Sequence, residues 1–173
     1  MIEPGFRPCA VIPSHNHWRA MPEIVGRLRA AMLPVIVVDD GSDARTRQAL
    51  AALGASDGGV EVLRFEQNRG KGAAVMEGLR TAISRGFTHA IQLDADGQHD
   101  LAALDGFLAR AQRHPDAMVT GQAVYDDSVP LGRKAGRWIT HFWVWVETLS
   151  FRIPDTMCGF RLYPLAAVQR LVE

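Results

Sequence analysis

Short apolar runs and helically spaced apolar positions alternate along most of the chain. Cys9-Ala-Val-Ile-Pro13 is a brief apolar run closed by proline, and Pro34-Val-Ile-Val-Val-Asp39 is a β-branched run. Both patterns predict buried strands. Between them Met21, Ile24, Val25, Leu28 and Met32 recur at helical spacing, with Arg27 and Arg29 off that face, which predicts a helix over 21–32. Asp43 is placed to cap a second helix reaching about Leu53, and 54–59 reads as a small-residue turn. Val60–Phe65 alternates apolar and polar residues as a strand does, and Gly72–Arg85 reads as a helix stopped by Gly86. Thr88–Leu93 and Ala117–Thr120 read as strands, with a helix over Leu101–His114 stopped by Pro115. The regularity then fades into an expected loop over 123–136, a helix over 138–151, a short strand over 159–163 and a terminal helix. Four β-then-α units predict an α/β fold with a mostly parallel sheet and helices on both faces, in one domain over 1–173.

Composition narrows the classes. The 173 residues are 47% hydrophobic and 22% charged, as expected of a globular domain that buries a core. Lys+Arg and Asp+Glu number 19 each, so no basic field recruits phosphates at large, and nucleic acid is excluded as the expected partner. Two cysteines, Cys9 and Cys158, cannot form a disulfide framework and fit a reducing, cytoplasmic setting. No signal-peptide pattern and no run of about 18 apolar residues is present. The basic residues are nearly all arginine, which singles out Lys71 as one of two lysines.

In a doubly wound sheet, ligands bind beyond the carboxyl ends of the strands. Four polar segments fall there: Ser14-His-Asn-His17, Asp39-Asp-Gly-Ser42, Asn68-Arg-Gly-Lys-Gly72 and Asp94-Ala-Asp-Gly-Gln98. If the last continues its strand, Asp94, Asp96 and Gln98 point to one side and offer three oxygen ligands to Mg2+ or Mn2+. A carboxylate of Asp39 or Asp40 can accept from a base N–H or a ribose hydroxyl, or else cap its own turn. Residues 68–72 open a helix with small residues and two cations, a setting for a diphosphate, although a plain glycine turn has the same composition. His15-x-His17, with Asp94, Asp96 and His99, sketches a metallohydrolase site; the competing reading makes Asn16 or His17 the cap of the first helix. In Trp138–Phe151, core packing is the simpler account of the aromatic residues, ahead of a lipid-facing or partner-facing surface.

Five segments in order resemble the family-2 glycosyltransferases of GT-A fold, with the nearest likeness to dolichyl- or polyprenyl-phosphate-mannose synthases. They are Val11-Ile-Pro13, Val37-Val-Asp-Asp-Gly-Ser42, Asn68-Arg-Gly-Lys-Gly72, Leu93-Asp-Ala-Asp-Gly-Gln-His99 and Asp155-Thr-Met-Cys-Gly-Phe-Arg-Leu-Tyr163. The resemblance implies an inverting, metal-dependent transfer from a nucleotide-diphospho-sugar to a lipid-phosphate or lipid-like acceptor. It implies a nucleoside pocket with Pro13, Asp39 and Asp40, and Arg69 and Lys71 near the diphosphate or shaping its loop. Asp94, Asp96 and Gln98 would hold the Mg2+ or Mn2+. Arg133, Arg137 and Arg161 would form the acceptor and leaving-group side of the catalytic centre, with Asp96. It further implies a cytoplasmic protein associated with the inner membrane face, and a catalytic domain short at its acceptor end. Departures are visible: His17 stands where the family carries glutamate, Gly121-Gln122 where Gly-Ser-Arg is common, and Asp100 in place of a frequent proline. The lost glutamate keeps open a second reading, a nucleotide-sugar-binding protein without turnover.

Overall fold

The computed structural model describes residues 5–121 and 158–172. The expected loop over 123–136, the helix over 138–151, and Arg133 and Arg137 lie outside the described residues. The chain forms two compact units, Met1–Val119 with Phe160–Glu173, and Thr120–Gly159. The candidate site lies in the first.

Strand β1 (Pro8–Ser14) and strand β2 (Val35–Asp40) are buried at every residue, as their unbroken apolar runs require. Helix α1 (Met21–Ala30) connects them, and α2 (Ala44–Ser56) leads to β3 (Val60–Phe65). Helix α3 (Lys71–Ser84) then leads to β4 (His89–Gln92). A 3-10 turn over Leu101–Ala103 precedes α4 (Leu104–Arg113) and β5 (Val119–Thr120). Strand β6 (Arg161–Pro164) and α5 (Leu165–Val172) complete the described chain. The sheet order is β3-β2-β1-β4-β6-β5. The first four strands are parallel neighbours, whereas β6 runs antiparallel to β4, pairing Gln92 with Arg161. That reversal, absent from a plain repetition of β-α units, makes the sheet mixed but mostly parallel.

Side chains alternate across a strand, so each buried run serves two faces. Cys9, Val11, Ile36 and Val38 pack with Ala74, Leu79 and Ala82 of α3 and with Leu165 and Val172 of α5. The intervening Ala10, Ile12, Val35 and Val37 are equally inaccessible, and α1 and α2 both touch β2. Helix α3 lies close to the sheet because Gly78 has no side chain: a Cβ there would stand 2.3 Å from Val11 Cγ1.

Two helix ends differ from the expectation. Met32 continues the apolar spacing of α1, yet it is 80% exposed with φ 61°. The helix closes earlier in a Schellman motif: Met32 N–H donates to Arg29 O and Leu33 N–H to Leu28 O. Gly54 belongs to α2 rather than to a turn, and the helix approaches β3 there so closely that a Cβ would meet Val62 Cγ2 at 2.9 Å. The expected ends hold elsewhere. Asp43 accepts from Thr46 N–H at 2.7 Å, and Gly86, with φ 73°, closes α3 by the same Schellman pattern.

Candidate active site

Parallel register brings the carboxyl ends of β1, β2 and β4 side by side, with Ser14 level with Asp39 and Val11 level with Gln92. A cavity of about 340 Å3 opens there. Pro13, Ser14, His15 and His17 form one wall, and Asp40, Asn68, Gly70 and Lys71 a second. Asp94, Ala95 and Asp96 form the third. All four polar segments singled out in the sequence therefore meet at one place.

The second wall is assembled around Asp40. Its carboxylate accepts from Arg69 N–H at 2.7 Å and from Gly70 N–H at 2.9 Å, so one buried acid anchors the loop that opens α3. Gly41 lets that loop approach: with φ 65°, it has no room for a Cβ, which would stand 2.4 Å from Asn68 N. Arg69 contributes its amide to Asp40 while its guanidinium stacks over the Phe65 ring at 4.7 Å. Of the two functions implied for Arg69, this geometry serves the shaping of the loop. Lys71, the first residue of α3, is on the cavity wall.

Asp39 is not on that wall. Its side chain is 2% exposed, one oxygen accepting from Ser42 N–H at 3.0 Å and the other from the Arg64 guanidinium. Arg64 also donates to Ser42 O, and with Asp39 it borders a separate hollow of about 320 Å3 between α2 and β3. Ser42 Oγ in turn accepts from Asn16 N–H, and Asn16 Oδ1 accepts from Asp43 N–H. Asn16 thus ties the first loop to the second in a left-handed conformation, φ 59°, and does not cap α1. Nor does His17: the N-cap of α1 is Ala20, without a side-chain hydrogen bond.

The third wall is a turn, not the extended strand on which convergence of Asp94, Asp96 and Gln98 was argued. Ladder pairing ends at Gln92, Gly97 has φ 75°, and Asp96 Oδ1 accepts from Gln98 N–H at 3.0 Å. Asp94 and Asp96 face the cavity, whereas Gln98 is exposed and off its wall. Asp94 stands between two basic side chains, with Lys71 Nζ 2.6 Å from Oδ1 and His99 Nε2 3.5 Å from Oδ2. Among the described residues neither Asp94 Oδ1 nor His99 Nε2 has an aligned hydrogen-bond partner. Burial pushes the Asp94 carboxyl up, but His99 and then Lys71 outweigh it and hold it down at about 2.

Two carboxylates on one wall, one with a buried oxygen lacking an aligned hydrogen bond among the described residues, fit a hard divalent cation that takes its other ligands from phosphate and water. The arrangement does not fit a histidine metal site. His15 Nδ1–H donates to Asp40 O at 2.7 Å, and its Nε2 accepts from Asn16 Nδ2 at 3.2 Å, so both ring nitrogens are engaged. Among the described residues no group of three His, Cys, Asp or Glu stands close enough to hold a metal.

Arg161 opens β6 opposite Gln92 and is not on the described cavity wall. Sequence reasoning misses one residue of the site and gives another a different task. Arg64 reaches Asp39 across 25 residues and read only as a polar position in an alternating strand. His99 was noticed as a metal ligand, not as the side chain behind Asp94. Its ring stacks on Phe160 at 5.4 Å, and Phe160 stacks on Phe107 at 4.3 Å.

A mostly parallel sheet whose acidic strand ends line one cavity is the architecture of the GT-A fold. The mannosyltransferase of Pyrobaculum calidifontis, solved with GDP-Man and Mn2+, matches with a TM-score of 0.63 at 17% identity, over 95% of this chain and 46% of that one. The chain belongs to glycosyl transferase family 2, whose pattern matches residues 9–170. It is 34% identical over 180 residues to polyprenol monophosphomannose synthase of Mycolicibacterium smegmatis, covering 98% of this chain and 66% of that protein. It is 30% identical over 163 residues to undecaprenyl-phosphate mannosyltransferase of Micrococcus luteus, covering 91% and 66%. The chain thus spans 66% of the length of these two relatives. Among the described residues no helix is long and apolar enough to cross a membrane.

Proposed function

We propose that this domain is a metal-dependent, inverting glycosyltransferase that moves a sugar from a nucleotide-diphospho-sugar to a lipid-phosphate or lipid-like acceptor. The observation that carries the reading is the single cavity in which Asp94 and Asp96 face Lys71 at the N-terminus of α3. The names of the relatives, both of which act with polyprenyl phosphates, support the acceptor class.

Each wall has a task in this reading. Pro13, His15 and His17 border the space for the nucleoside, with Asp40 behind the loop and Asp39 acting through Ser42 to hold the turn. Helix α3 has no side-chain cap, so its first amides are open to an anion, and Lys71 adds a full positive charge beside them. Asp94 and Asp96 would hold Mg2+ or Mn2+, which supplies charge neutralisation to the departing diphosphate. Gln98 contributes through its amide N–H, which fixes the Asp96 carboxylate. The family resemblance assigns Arg133, Arg137 and Arg161 to the acceptor and the leaving group. An acceptor phosphate oxygen forms the new bond to the anomeric carbon as the bond to the diphosphate oxygen breaks on the opposite face. Since a phosphate is already ionised, no general base is required. This reading implies work at the cytoplasmic face of a membrane, where such an acceptor presents its headgroup.

The test is product analysis. Incubation with a nucleotide-sugar panel, Mn2+ and polyprenyl phosphate is expected to yield a glycosyl-phospholipid of inverted anomeric configuration by NMR. A retained configuration removes the inverting mechanism. His17 on the cavity wall, in place of a glutamate, favours the second reading, donor binding without turnover. Donor binding with neither transfer nor donor hydrolysis selects that reading.

A further inference from the structure

The two basic side chains beside Asp94 differ in freedom. His99 is 17% exposed and stacks on Phe160, which itself stacks on Phe107, so it cannot withdraw without disturbing packed aromatics. Lys71 is 55% exposed, sits at the end of a flexible four-carbon stem, and approaches Asp94 Oδ1 without an aligned hydrogen bond. Its ammonium lies 2.6 Å from the oxygen that a divalent cation would take at about 2.0–2.1 Å. A divalent cation on that oxygen would repel the ammonium and compete with it for Asp94.

We infer that Lys71 is the exchangeable counter-ion of Asp94. Its ammonium keeps the cation's place on Oδ1 while the cavity is empty of metal, yields it when the metal binds, and turns to the donor's phosphates beside the uncapped amides of α3. This rests on the metal-dependent reading above and adds a coupling to it. Metal binding releases the lysine for the diphosphate, and the diphosphate, by holding the lysine away, favours the metal. His99 stays in place throughout and keeps the carboxylate oriented.

The test separates the two claims by titrating Mn2+ alone, followed by electron paramagnetic resonance, into wild type, Lys71→Met, Lys71→Arg and Asp94→Asn. Near-ultraviolet circular dichroism verifies the fold of each. Removing an exposed ion pair is expected to tighten Mn2+ binding about two- to fivefold in Lys71→Met. Lys71→Arg should stay near wild type, and Asp94→Asn should weaken binding at least about tenfold. With Mn2+ saturating, GDP should bind Lys71→Met several-fold more weakly than wild type, in line with loss of a charge-assisted contact. Mn2+ affinity lost in Asp94→Asn but unchanged or weaker in Lys71→Met overturns the exchange and leaves the metal-dependent reading standing. Undiminished GDP affinity in Lys71→Met overturns the turn toward phosphate. Absence of Mn2+ binding in wild type and Lys71→Met, with or without GDP, overturns the metal-dependent reading and the exchange with it.

Discussion

Gly41 lies against the backbone of Asn68 so closely that a Cβ on Gly41 would stand 2.4 Å from the Asn68 nitrogen. This contact joins the turn after β2 to the loop before α3. Two backbones meet there, so neither can yield by rotating a side chain. Gly41→Ala must strain a φ of 65° and push the loop away. The left-handed backbone alone costs about 1–2 kcal/mol. With the displaced loop, a loss of about 2 kcal/mol or more and a melting-temperature drop of roughly 4–8 °C are expected by scanning calorimetry. A melting temperature within a degree of wild type contradicts the packing.

Asp40 holds the same loop by charge-assisted bonds to the Arg69 and Gly70 amides. Bonds to a charged acceptor contribute about 1.5–3 kcal/mol. In Asp40→Ala, hydrogen exchange at those two amides should accelerate at least about tenfold, while the amides of β1 stay protected. Unchanged exchange at Arg69 and Gly70 removes Asp40 from this task.

Arg64 and Asp39 form a long-range pair in which the carboxylate is buried and the guanidinium partly exposed. Truncating the arginine leaves a buried charge with only the Ser42 amide. Arg64→Met is expected to cost about 2–3 kcal/mol in urea unfolding, somewhat below the range for a fully buried pair. The double variant Arg64→Met/Asp39→Asn should recover a large part of that. Additive losses show that the two side chains are not coupled.

His89 gives a pH dependence with a defined sign. Burial lowers its pKa despite the carbonyl of Pro115 and the nearby Asp116. Its Nε2–H donates to Pro115 O at 3.0 Å, so Nδ1 accepts from the Thr88 hydroxyl. The unfolded chain binds the proton more readily, so the contribution of neutral His89 is complete above the ordinary histidine value, about 6.5, and is lost as pH falls below it. Stability measured by urea at pH 7.5 and 5.5 should fall with pH, and His89→Gln should flatten that part of the profile. An equal pH slope in the variant assigns the effect elsewhere.

The parts of this protein legible in its sequence are those governed by local rules. The β-branched run ending in Asp39-Asp40, the Asp43 cap and the Gly86 stop each carry a cause within a few residues. The convergence of four polar segments followed from parallel topology alone. What escaped depends on distant partners. Met32 obeys the apolar spacing of α1 but is turned out by the helix-closing bonds of Leu33 and Met32. Gly54 looked like a breaker, because its close neighbour Val62 is set by tertiary packing. Asp39 looked available to a ligand, because Arg64 lies 25 residues away. The Asp94–Gln98 segment does not continue the strand extended, since Gln98 N–H bonds Asp96 and not a ladder partner.

Calorimetric titration of GDP- and UDP-sugars, with and without Mn2+, into wild type and Asp94→Asn tests the central claim most directly. At least one nucleotide-sugar should bind stoichiometrically and only with Mn2+, and Asp94→Asn should weaken it at least about tenfold while the folded protein persists. Binding that ignores both Mn2+ and the Asp94 substitution, or no binding by any nucleotide-sugar, contradicts the assignment of this cavity to a metal-held donor.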